Sequence, residues 1–286
     1  MTRSGIAFTK GHGTGNDFVI LTDLDGRLEL TAQEVRRLCD RRHGIGGDGV
    51  LVVTRTSASP EVAGRSGAEY FMDYRNADGS VAQMCGNGAR VFARSLLDQG
   101  LARPGEWLIA TRGGPRLVHA GARGDIRVDM GPAVVMETEG ITVKVGSDDA
   151  ARPALGVLMP NPHAVCWVDD VDEAGPLLSA PRVDPASAFP EGVNVEFVQV
   201  RAAAELTMRV HERGVGETQS CGTGACAAAV ATLARAGEGP GDQRVRVDVP
   251  GGTLHVVWRA DGEVQLIGPA VIVARGVIED EWWDQK

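Results

Sequence analysis

The pattern Cys-Gly-x-Gly-Ala occurs twice in this chain of 286 residues, at residues 85–89 and again at residues 221–225. We call these the first and second cysteine motifs. Apolar residues or alanines follow each motif and a glycine, Gly100 or Gly237, closes each stretch, so each motif is predicted to begin a helix. A motif repeated about half a chain apart, each time at a helix start, predicts two similar halves.

Alternation of apolar and polar residues predicts that much of the remaining chain is β-strand. The clearest runs are residues 126–130, 205–210, 244–249, 253–258 and 263–267. The last three are joined by turn sequences, which predicts an antiparallel meander. The helix after the second motif is small and apolar on every side, as is typical of a helix enclosed by sheet. We predict an α+β fold of two pseudo-symmetric halves, each a mostly antiparallel sheet or barrel wrapped around a central helix.

The motifs also predict how the halves are distributed along the chain. The first half is expected to comprise residues 1–124 and 269–286 and to carry Cys85. The second half is expected to comprise residues 125–268 and to carry Cys221, with the glycine-rich stretch 121–124 as the crossing point. Thr31 and Glu34 have the spacing of a capping box, which predicts a short helix after Thr31.

Composition restricts the partners of the chain. A net charge of −9 repels phosphate backbones and anionic lipids, so we expect neither a nucleic-acid nor a membrane partner. No stretch has the pattern of a signal peptide or the length of a membrane span. Five cysteines without a Cys-x-x-Cys pair argue against a disulfide framework or a structural metal site. These features indicate a cytoplasmic protein that acts on a small molecule.

The setting of the two motif cysteines predicts proton-transfer chemistry. A helix N-terminus stabilises a thiolate and is expected to lower the pKa of a cysteine placed there. The glycines that follow leave backbone N–H groups open to an anionic ligand. Two such helix starts facing one cleft would hold a carboxylate, with Cys85 and Cys221 on either side of its α-carbon. One thiolate would remove the α-proton and the other thiol would protonate the opposite face, without a metal or pyridoxal phosphate.

A single buried cysteine is more often an inert core residue than a catalytic one. We predict this packing role for Cys39, Cys166 and Cys226, which lie outside the repeated motif. For Cys85 and Cys221, the repetition at two helix starts favours catalysis.

The sequence resembles the diaminopimelate epimerase family along essentially its whole length. The matching segments are residues 10–18, 42–49, 76–80, 84–90, 161–163, 192–194 and 212–225. The resemblance implies a homodimeric, cofactor-independent isomerase of lysine and peptidoglycan precursor biosynthesis, which interconverts LL- and meso-2,6-diaminopimelate. It implies that Cys85 and Cys221 are the acid/base thiols, with His163 near the first and Glu212 near the second.

The same resemblance implies a set of substrate-binding residues. Those that would hold the reacting carboxylate are Gly86, Asn87, Gly222 and Thr223, and those that would recognise the rest of the substrate are Asn16, Asn76, Asn161, Asn194 and Arg213. This agrees with their chemistry, because a guanidinium binds a carboxylate through two parallel hydrogen bonds and amides both donate and accept. Taken alone, His163 fits a structural histidine equally well, and Asn76 fits a turn residue.

Two positions depart from the family pattern. Pro160 stands where relatives usually have glycine, and proline removes a backbone donor and restricts φ. Gly49 stands where some relatives have glutamine and others glycine. Both positions bear on which amino acid is the substrate, and neither alters the two cysteines.

Four alternatives remain open from the sequence. The first is the same chemistry on a basic amino acid or on proline or hydroxyproline; however, proline racemases usually have histidine where this chain has Asn87. The second is cysteine hydrolysis with Cys85 as nucleophile and His163 as base, which leaves the second motif unexplained. The third, a nucleotide-binding protein, is less well supported, because the sequence contains no phosphate-binding loop. The fourth, a non-catalytic binding protein, ranks last, because both cysteine dyads and Arg213 are intact.

Overall fold

A computed structural model describes residues 5–64, 67–144 and 150–284 of the chain. The backbone forms two compact units, which we call unit one (Met1–Val128 with Pro269–Lys286) and unit two (Asp129–Gly268). Residues 1–4 and 285–286, which the sequence analysis assigns to the first half, lie outside the described residues.

Strands make up most of the regular structure. In chain order they are β1 (Ile6–Gly13), β2 (Asn16–Thr22), β3 (Gly49–Arg55), β4 (Tyr70–Asn76), β5 (Gly105–Ile109), β6 (Arg116–Ala120), β7 (Ile126–Pro132), β8 (Val134–Val135), β9 (Thr142–Lys144), β10 (Arg152–Met159), β11 (Asn161–Trp167), β12 (Arg182–Asp184), β13 (Asn194–Ala202), β14 (Glu205–Glu212), β15 (Gly216–Thr218), β16 (Gln243–Val249), β17 (Gly252–Trp258), β18 (Glu263–Gly268) and β19 (Val271–Ile278).

Helices are fewer. They are α1 (Ala32–Cys39), α2 (Gly86–Asp98), α3 (Gly222–Arg235) and α4 (Asp280–Asp284), with short 3-10 helices at Thr56–Ala58, Val171–Ala174 and Ala186–Ala188. No helix among the described residues is long and apolar enough to cross a membrane. This balance of sheet and helix confirms the predicted α+β class.

Unit one contains a five-stranded sheet in the order β19-β1-β2-β3-β4. Strand β1 is antiparallel to β2, β2 is parallel to β3, and β3 is antiparallel to β4. The last strand, β19, runs antiparallel along β1 at the edge of this sheet. Strands β5 and β6 also belong to unit one, and residues 121–124 lie in the turn from β6 to β7.

Unit two contains strands in the order β12-β9-β10-β11-β13-β14-β16-β17-β18. Strand β10 is antiparallel to β11, β11 is parallel to β13, and β13 is antiparallel to β14. Strands β16, β17 and β18 form the predicted antiparallel meander. Gly262 has a φ of +88° in the last of its turns, a conformation that glycine adopts without steric cost.

The two units repeat one succession of strands before the central helix. In each, an antiparallel pair is followed by a parallel pair, a second antiparallel pair and then a helix that starts at a cysteine motif. The register equates Phe18 with His163, because each is the third residue of its strand and lies opposite the first residue of the next strand, Gly49 or Asn194. The structure therefore confirms the two pseudo-symmetric halves predicted by the repeat.

The central helices are enclosed as their composition predicts. Helix α2 is buried continuously from Gly86 to Leu96 and contacts β1, β2, β6 and β19. Helix α3 buries small residues on all sides and contacts β10, β11, β13 and β17. Both end just before the predicted glycines, since Gly100 and Gly237 have φ values of +70° and +79°.

Helix α1 begins at the predicted capping box. The Glu34 N–H donates to Thr31 Oγ1 at 3.2 Å, and the Thr31 N–H donates to Glu34 Oε2 at 2.7 Å. Val35, Leu38 and Cys39 are buried on its inner face against unit-one strands. The capping box and the apolar face of the helix thus predict the same element, and for this reason the sequence alone is sufficient to predict this short helix.

We expect stability to fall at alkaline pH because of the buried thiols of Cys39 and Cys166. Burial raises the pKa of Cys39 to about 12 and that of Cys166 to about 11, from an ordinary value of 9.0. Between pH 9.0 and these values the unfolded chain releases the thiol protons and the folded chain retains them, so the free energy of unfolding decreases as pH rises. Below pH 9.0 the two thiols contribute no pH dependence.

Urea unfolding measured from pH 8 to about pH 11 tests this expectation. Cys39→Val and Cys166→Val should each flatten the alkaline decline, because valine has no proton to lose. An alkaline decline of the same slope in both variants and the wild-type protein contradicts it.

Candidate active site

The first cysteine motif places Cys85 as the N-cap of α2. Its Sγ accepts the Gly88 N–H at 3.4 Å, and its thiol lies 3.7 Å from Asn16 Oδ1. The Asn87 side-chain amide donates to the same Asn16 oxygen at 3.3 Å. Three residues of the predicted site, Asn16, Cys85 and Asn87, are therefore in mutual contact within unit one.

Asp48 orients Asn16 in this group. The Asn16 Nδ2 donates to Asp48 Oδ2 at 2.8 Å, so its Oδ1 is turned toward Cys85 and Asn87. Asp48 also accepts the Asp17 N–H at 3.1 Å and pairs with Arg41 at 2.9 Å. Sequence reasoning did not select Asp48, although it lies in the glycine-rich segment 42–49 that carries part of the family resemblance.

Asn76 lies at the end of β4 and its amide has a local partner. The Asn76 Nδ2 donates to Ser80 Oγ at 2.9 Å across the turn that follows β4. Its backbone pairs with Gly49 on β3, next to Asp48. The structure therefore shows the turn role of Asn76, and its binding of substrate stays a prediction.

The second cysteine motif places Cys221 as the N-cap of α3, in a more buried setting than Cys85. Only 5% of Cys221 is exposed, its Sγ lies 3.5 Å from Thr223 Oγ1, and it hydrogen-bonds Glu212. Glu212 ends β14 and also accepts a hydrogen bond from Thr218 Oγ1. The expected proximity of Glu212 and Cys221 is present in unit two.

The expectation that the helix start lowers the pKa of Cys221 is wrong in this structure. Burial raises the pKa of this thiol well above its ordinary value, and the Glu212 and Glu196 carboxylates raise it further. The Thr223 hydroxyl and the Gly224 N–H act in the opposite direction and are outweighed. The physical reason is that desolvation penalises the thiolate more than one turn of helix N–H groups stabilises it.

Burial likewise raises the pKa of Glu212, even though hydrogen bonds from Thr218 and Cys221 favour its charged form. A carboxyl group with a raised pKa accepts a proton more readily than an exposed one. Placed on the Cys221 thiol, it is suited to act as the base for that thiol.

His163 lies in unit two beside a carboxylate that sequence reasoning missed, Glu196. Both side chains are 0% exposed, and His163 Nδ1 lies 2.6 Å from Glu196 Oε1. The other ring nitrogen, Nε2, lies 3.1 Å from Asn161 Oδ1. The implied proximity of His163 to Cys85 involves residues of different units and stays a prediction.

Asn194, the first residue of β13, is hydrogen-bonded to Arg213, the residue that follows the end of β14. Asn194 Oδ1 accepts the Arg213 N–H at 2.8 Å, and Arg213 Nη1 donates to Glu191 O at 3.0 Å. Gly192 has a φ of +83°, and a Cβ there would lie 3.0 Å from Arg213 Cδ. The glycine thus leaves room for the aliphatic stem of Arg213, whose guanidinium is exposed.

The two unusual positions are both tightly constrained. Pro160 has a φ of +25° between β10 and β11, a region in which glycine carries no Cβ penalty and proline is strained. A Cβ at Gly49 would lie 2.6 Å from Arg75 O and 2.7 Å from the Tyr74 ring, so this backbone has no room for a glutamine there.

The third residues of the two cysteine helices differ in the space around them. A Cβ at Gly224 would lie 2.7 Å from Glu196 Oε1 and 3.2 Å from Cys221 Cβ, whereas one at Gly88 would lie no closer than 3.4 Å to any neighbour. We therefore expect Gly224→Ala to lower the free energy of unfolding by about 1–3 kcal/mol through overpacking. Gly88→Ala should leave it unchanged or raise it by up to about 1 kcal/mol. Equal effects of the two substitutions in urea unfolding contradict this expectation.

The described residues contain no group of three or more His, Cys, Asp or Glu side chains arranged to hold a metal ion. The five cysteines all lie in the described part of the chain, and none of them forms a disulfide bond. The acid/base groups that the structure places at these positions are the Cys85 and Cys221 thiols, the carboxyls of Glu212 and Glu196, and the imidazole of His163.

The family model and the similar proteins of known name all indicate one family. The family model for diaminopimelate epimerase matches residues 8–136 and 156–273. The chain is 53% identical over 282 residues to a diaminopimelate epimerase of Streptomyces coelicolor, covering 97% of this chain and 96% of that one. It is 48% identical over 292 residues to a diaminopimelate epimerase of Mycobacterium avium, covering 97% and 98%.

Solved structures of lower identity share the fold. A PhzF-family phenazine biosynthesis protein of Bacillus anthracis matches with a TM-score of 0.70 at 17% identity, covering 96% of this chain and 99% of that one. A probable proline racemase of Agrobacterium radiobacter matches with a TM-score of 0.69 at 16% identity, covering 96% and 92%. At these identities the likeness concerns the backbone arrangement alone.

Proposed function

Because the chain belongs to the diaminopimelate epimerase family, we propose that it interconverts LL- and meso-2,6-diaminopimelate by proton transfer between two cysteines. The observation that carries the proposal is the repeated cysteine motif. Cys85 and Cys221 occupy the same N-cap position in two halves of the same topology, and a two-base reaction uses one acid/base group for each face of the reacting carbon.

In the proposed reaction, one cysteine acts as thiolate and removes the α-proton, while the other acts as thiol and protonates the opposite face. The raised pKa of Cys221 favours its thiol form at neutral pH. This supports a resting enzyme in which Cys221 is the protonated member of the pair of cysteines. When Cys221 gives up its proton, Glu212 is the group in position to restore it. The backbone N–H groups at the two helix starts are available to bind the charge that develops on the reacting carboxylate.

Substrate recognition is assigned to the polar residues at strand ends and helix starts. In unit one these are Asn16, Asn76, Gly86 and Asn87, and in unit two they are Asn161, Asn194, Arg213, Gly222 and Thr223. Arg213 is exposed, its backbone N–H donates to Asn194 and its guanidinium donates to the Glu191 carbonyl, so this side chain is suited to bind a carboxylate that does not react. The remaining amides can bind the distal amine and carboxylate.

Homodimer formation and a cytoplasmic location are part of the same proposal. Strand β19 lies at the edge of its sheet, and Val273 and Val277 on it are 62% and 54% exposed. An edge strand with exposed apolar side chains is suited to pairing with a second copy of the chain. Light scattering on the purified protein should give the mass of a dimer at assay concentrations. A monomer mass at those concentrations contradicts this part of the proposal.

The experiment that tests the function is proton NMR of the reduced protein with LL-diaminopimelate in heavy water, with a metal chelator present and pyridoxal phosphate absent. We expect loss of the α-proton signal together with appearance of the meso isomer. Exchange with lysine, ornithine or proline and none with diaminopimelate would keep the thiol chemistry and reject the substrate. The absence of exchange with any of these amino acids rejects the epimerase function.

A further inference from the structure

The steps proposed above do not involve Glu196, which forms a buried pair with His163. Both side chains are 0% exposed, and Nδ1 of the imidazole lies 2.6 Å from Oε1 of the carboxylate. The second oxygen, Oε2, is buried and receives no hydrogen bond from the described residues. Burying such a pair usually stabilises a fold no more than apolar residues of similar volume do. Its presence therefore needs a reason other than stability.

The internal repeat shows what the scaffold holds at the same place in the other half. Phe18 and Leu51 occupy the register positions of His163 and Glu196, two residues beyond the equivalent strand starts. Both are 0% exposed, and they lie 3.5 Å from a Cβ built on Gly88, just as Glu196 faces Gly224. Unit one thus fills this position with a phenyl ring and a leucine, so the fold itself does not demand a charged pair.

The contacts of the imidazole determine where its protons lie. A carboxylate oxygen at 2.6 Å from Nδ1 requires a proton on that nitrogen, because two acceptors cannot share the contact. The second nitrogen, Nε2, lies 3.1 Å from Asn161 Oδ1, which is also an acceptor, so Nε2 donates a proton to it. The neutral amide oxygen holds that proton less strongly than the carboxylate holds the proton on Nδ1, so Nε2 is the nitrogen that can release a proton and take it back.

We propose that Glu196 is a positioning residue of the epimerase, which holds a proton on Nδ1 of His163 and so makes Nε2 the nitrogen that exchanges protons during turnover. The inference rests on the proposed function, together with the role beside Cys85 that the family resemblance implies for His163. Three other groups act on this pair, one from the strand of His163 itself and two from neighbouring elements: Asn161 on β11, Glu212 on β14 and Cys221 at the start of α3.

The first test is the tautomer of His163 in the resting enzyme, measured by nitrogen-15 NMR of histidine-labelled protein with His163→Phe used to assign the signal. In the wild-type protein we expect a proton on Nδ1. In Glu196→Leu, which copies Leu51 of the other half, we expect this preference to be lost. In Glu196→Gln the side-chain carbonyl still accepts, so the preference should remain. A wild-type imidazole protonated on Nε2 alone overturns the proposal, and this result needs no variant to fold.

The second test separates positioning from packing by the kinetics of the same variants. In Glu196→Leu an apolar side chain occupies the buried position, whereas in Glu196→Gln the side chain keeps a hydrogen-bond acceptor. A positioning role predicts that Glu196→Leu lowers kcat by about 10- to 100-fold, as when the partner behind a metal-binding histidine is lost, with KM changed much less. Glu196→Gln should recover part of that loss. A structural role predicts the reverse order, with leucine at least as active as glutamine, and that result overturns the proposal.

Two controls complete the design. Glu205→Gln removes the same charge from an exposed position on β14 and should leave kcat unchanged. The double variant His163→Phe/Glu196→Leu copies the unit-one pair and should fold with an unfolding free energy close to that of the wild-type protein. If the wild-type protein exchanges no α-proton of diaminopimelate, the proposed function fails, whereas the tautomer measurement still decides the role of Glu196.

Discussion

Cys85→Ser and Cys221→Ser should each lower kcat/KM for diaminopimelate by about 10² to 10⁴-fold, the contribution of a positioned acid or base. Serine keeps nearly the same size, but its hydroxyl is not ionised near neutral pH and is a poor proton donor and acceptor compared with a thiol. Since each epimerisation needs a base on one face and an acid on the other, neither cysteine can replace its partner. Turnover is measured by α-proton exchange in heavy water and by formation of the second isomer.

Cys226→Ala is the matched control for these variants. Cys226 is a buried thiol on α3 that directly follows the second motif, and the proposed chemistry does not use it. We expect this variant to keep wild-type turnover. A Cys221→Ser enzyme that retains its turnover would favour the hydrolase alternative, in which Cys85 acts as nucleophile without a second cysteine.

Glu212→Gln should cause the second large loss, again about 10² to 10⁴-fold in kcat/KM. The amide keeps the size of the side chain and still accepts the hydrogen bond from Thr218, but it cannot take the proton of the Cys221 thiol. The Glu212 carboxylate raises the pKa of Cys221. Replacing this carboxylate by an amide should therefore lower the pKa of the thiol and increase the fraction of Cys221 present as thiolate. We therefore expect alkylation of Cys221 to become faster while turnover becomes slower.

Alkylation of Cys221 is followed by peptide mass mapping at pH 8, alongside the kinetic assay. Glu217→Gln provides the control, since Glu217 is a carboxylate on β15 that pairs with Arg209 at 2.7 Å, whereas the carboxylates that raise the pKa of Cys221 are Glu212 and Glu196. It should change neither the alkylation rate nor turnover. If Glu212→Gln retains turnover, Glu212 is not the base for this thiol.

Several features of this protein were predictable because they depend on residues close together in the chain. The capping box of Thr31 and Glu34 and the helix ends at Gly100 and Gly237 are local signals, and the structure contains them all. The repeated cysteine motif predicted two halves with equivalent central helices, since one short pattern that starts a helix twice is best explained by one topology used twice. The meander of β16, β17 and β18 followed from strand alternation and turn residues.

Other features depend on burial and register and were not predictable. Glu196 lies in an ordinary strand sequence, and only the parallel pairing of β11 with β13 brings it to His163. Asp48 lies 32 residues from Asn16 in the chain, and the fold brings their side chains into contact. The direction of the pKa shift of Cys221 was predicted wrongly from its helix position, because the buried Glu212 and Glu196 carboxylates and the loss of solvent outweigh the helix N-terminus.

The sequence by itself determined the reaction class suggested for this protein, because the two cysteine motifs and their helix starts are contiguous patterns whose chemistry follows from a few adjacent residues. The tertiary structure decided which groups surround each thiol and which nitrogen of His163 is left to exchange a proton. The physical reason is that proton affinities depend on solvent exclusion and on charges a few ångströms away, and these neighbours come from strands far apart in the chain.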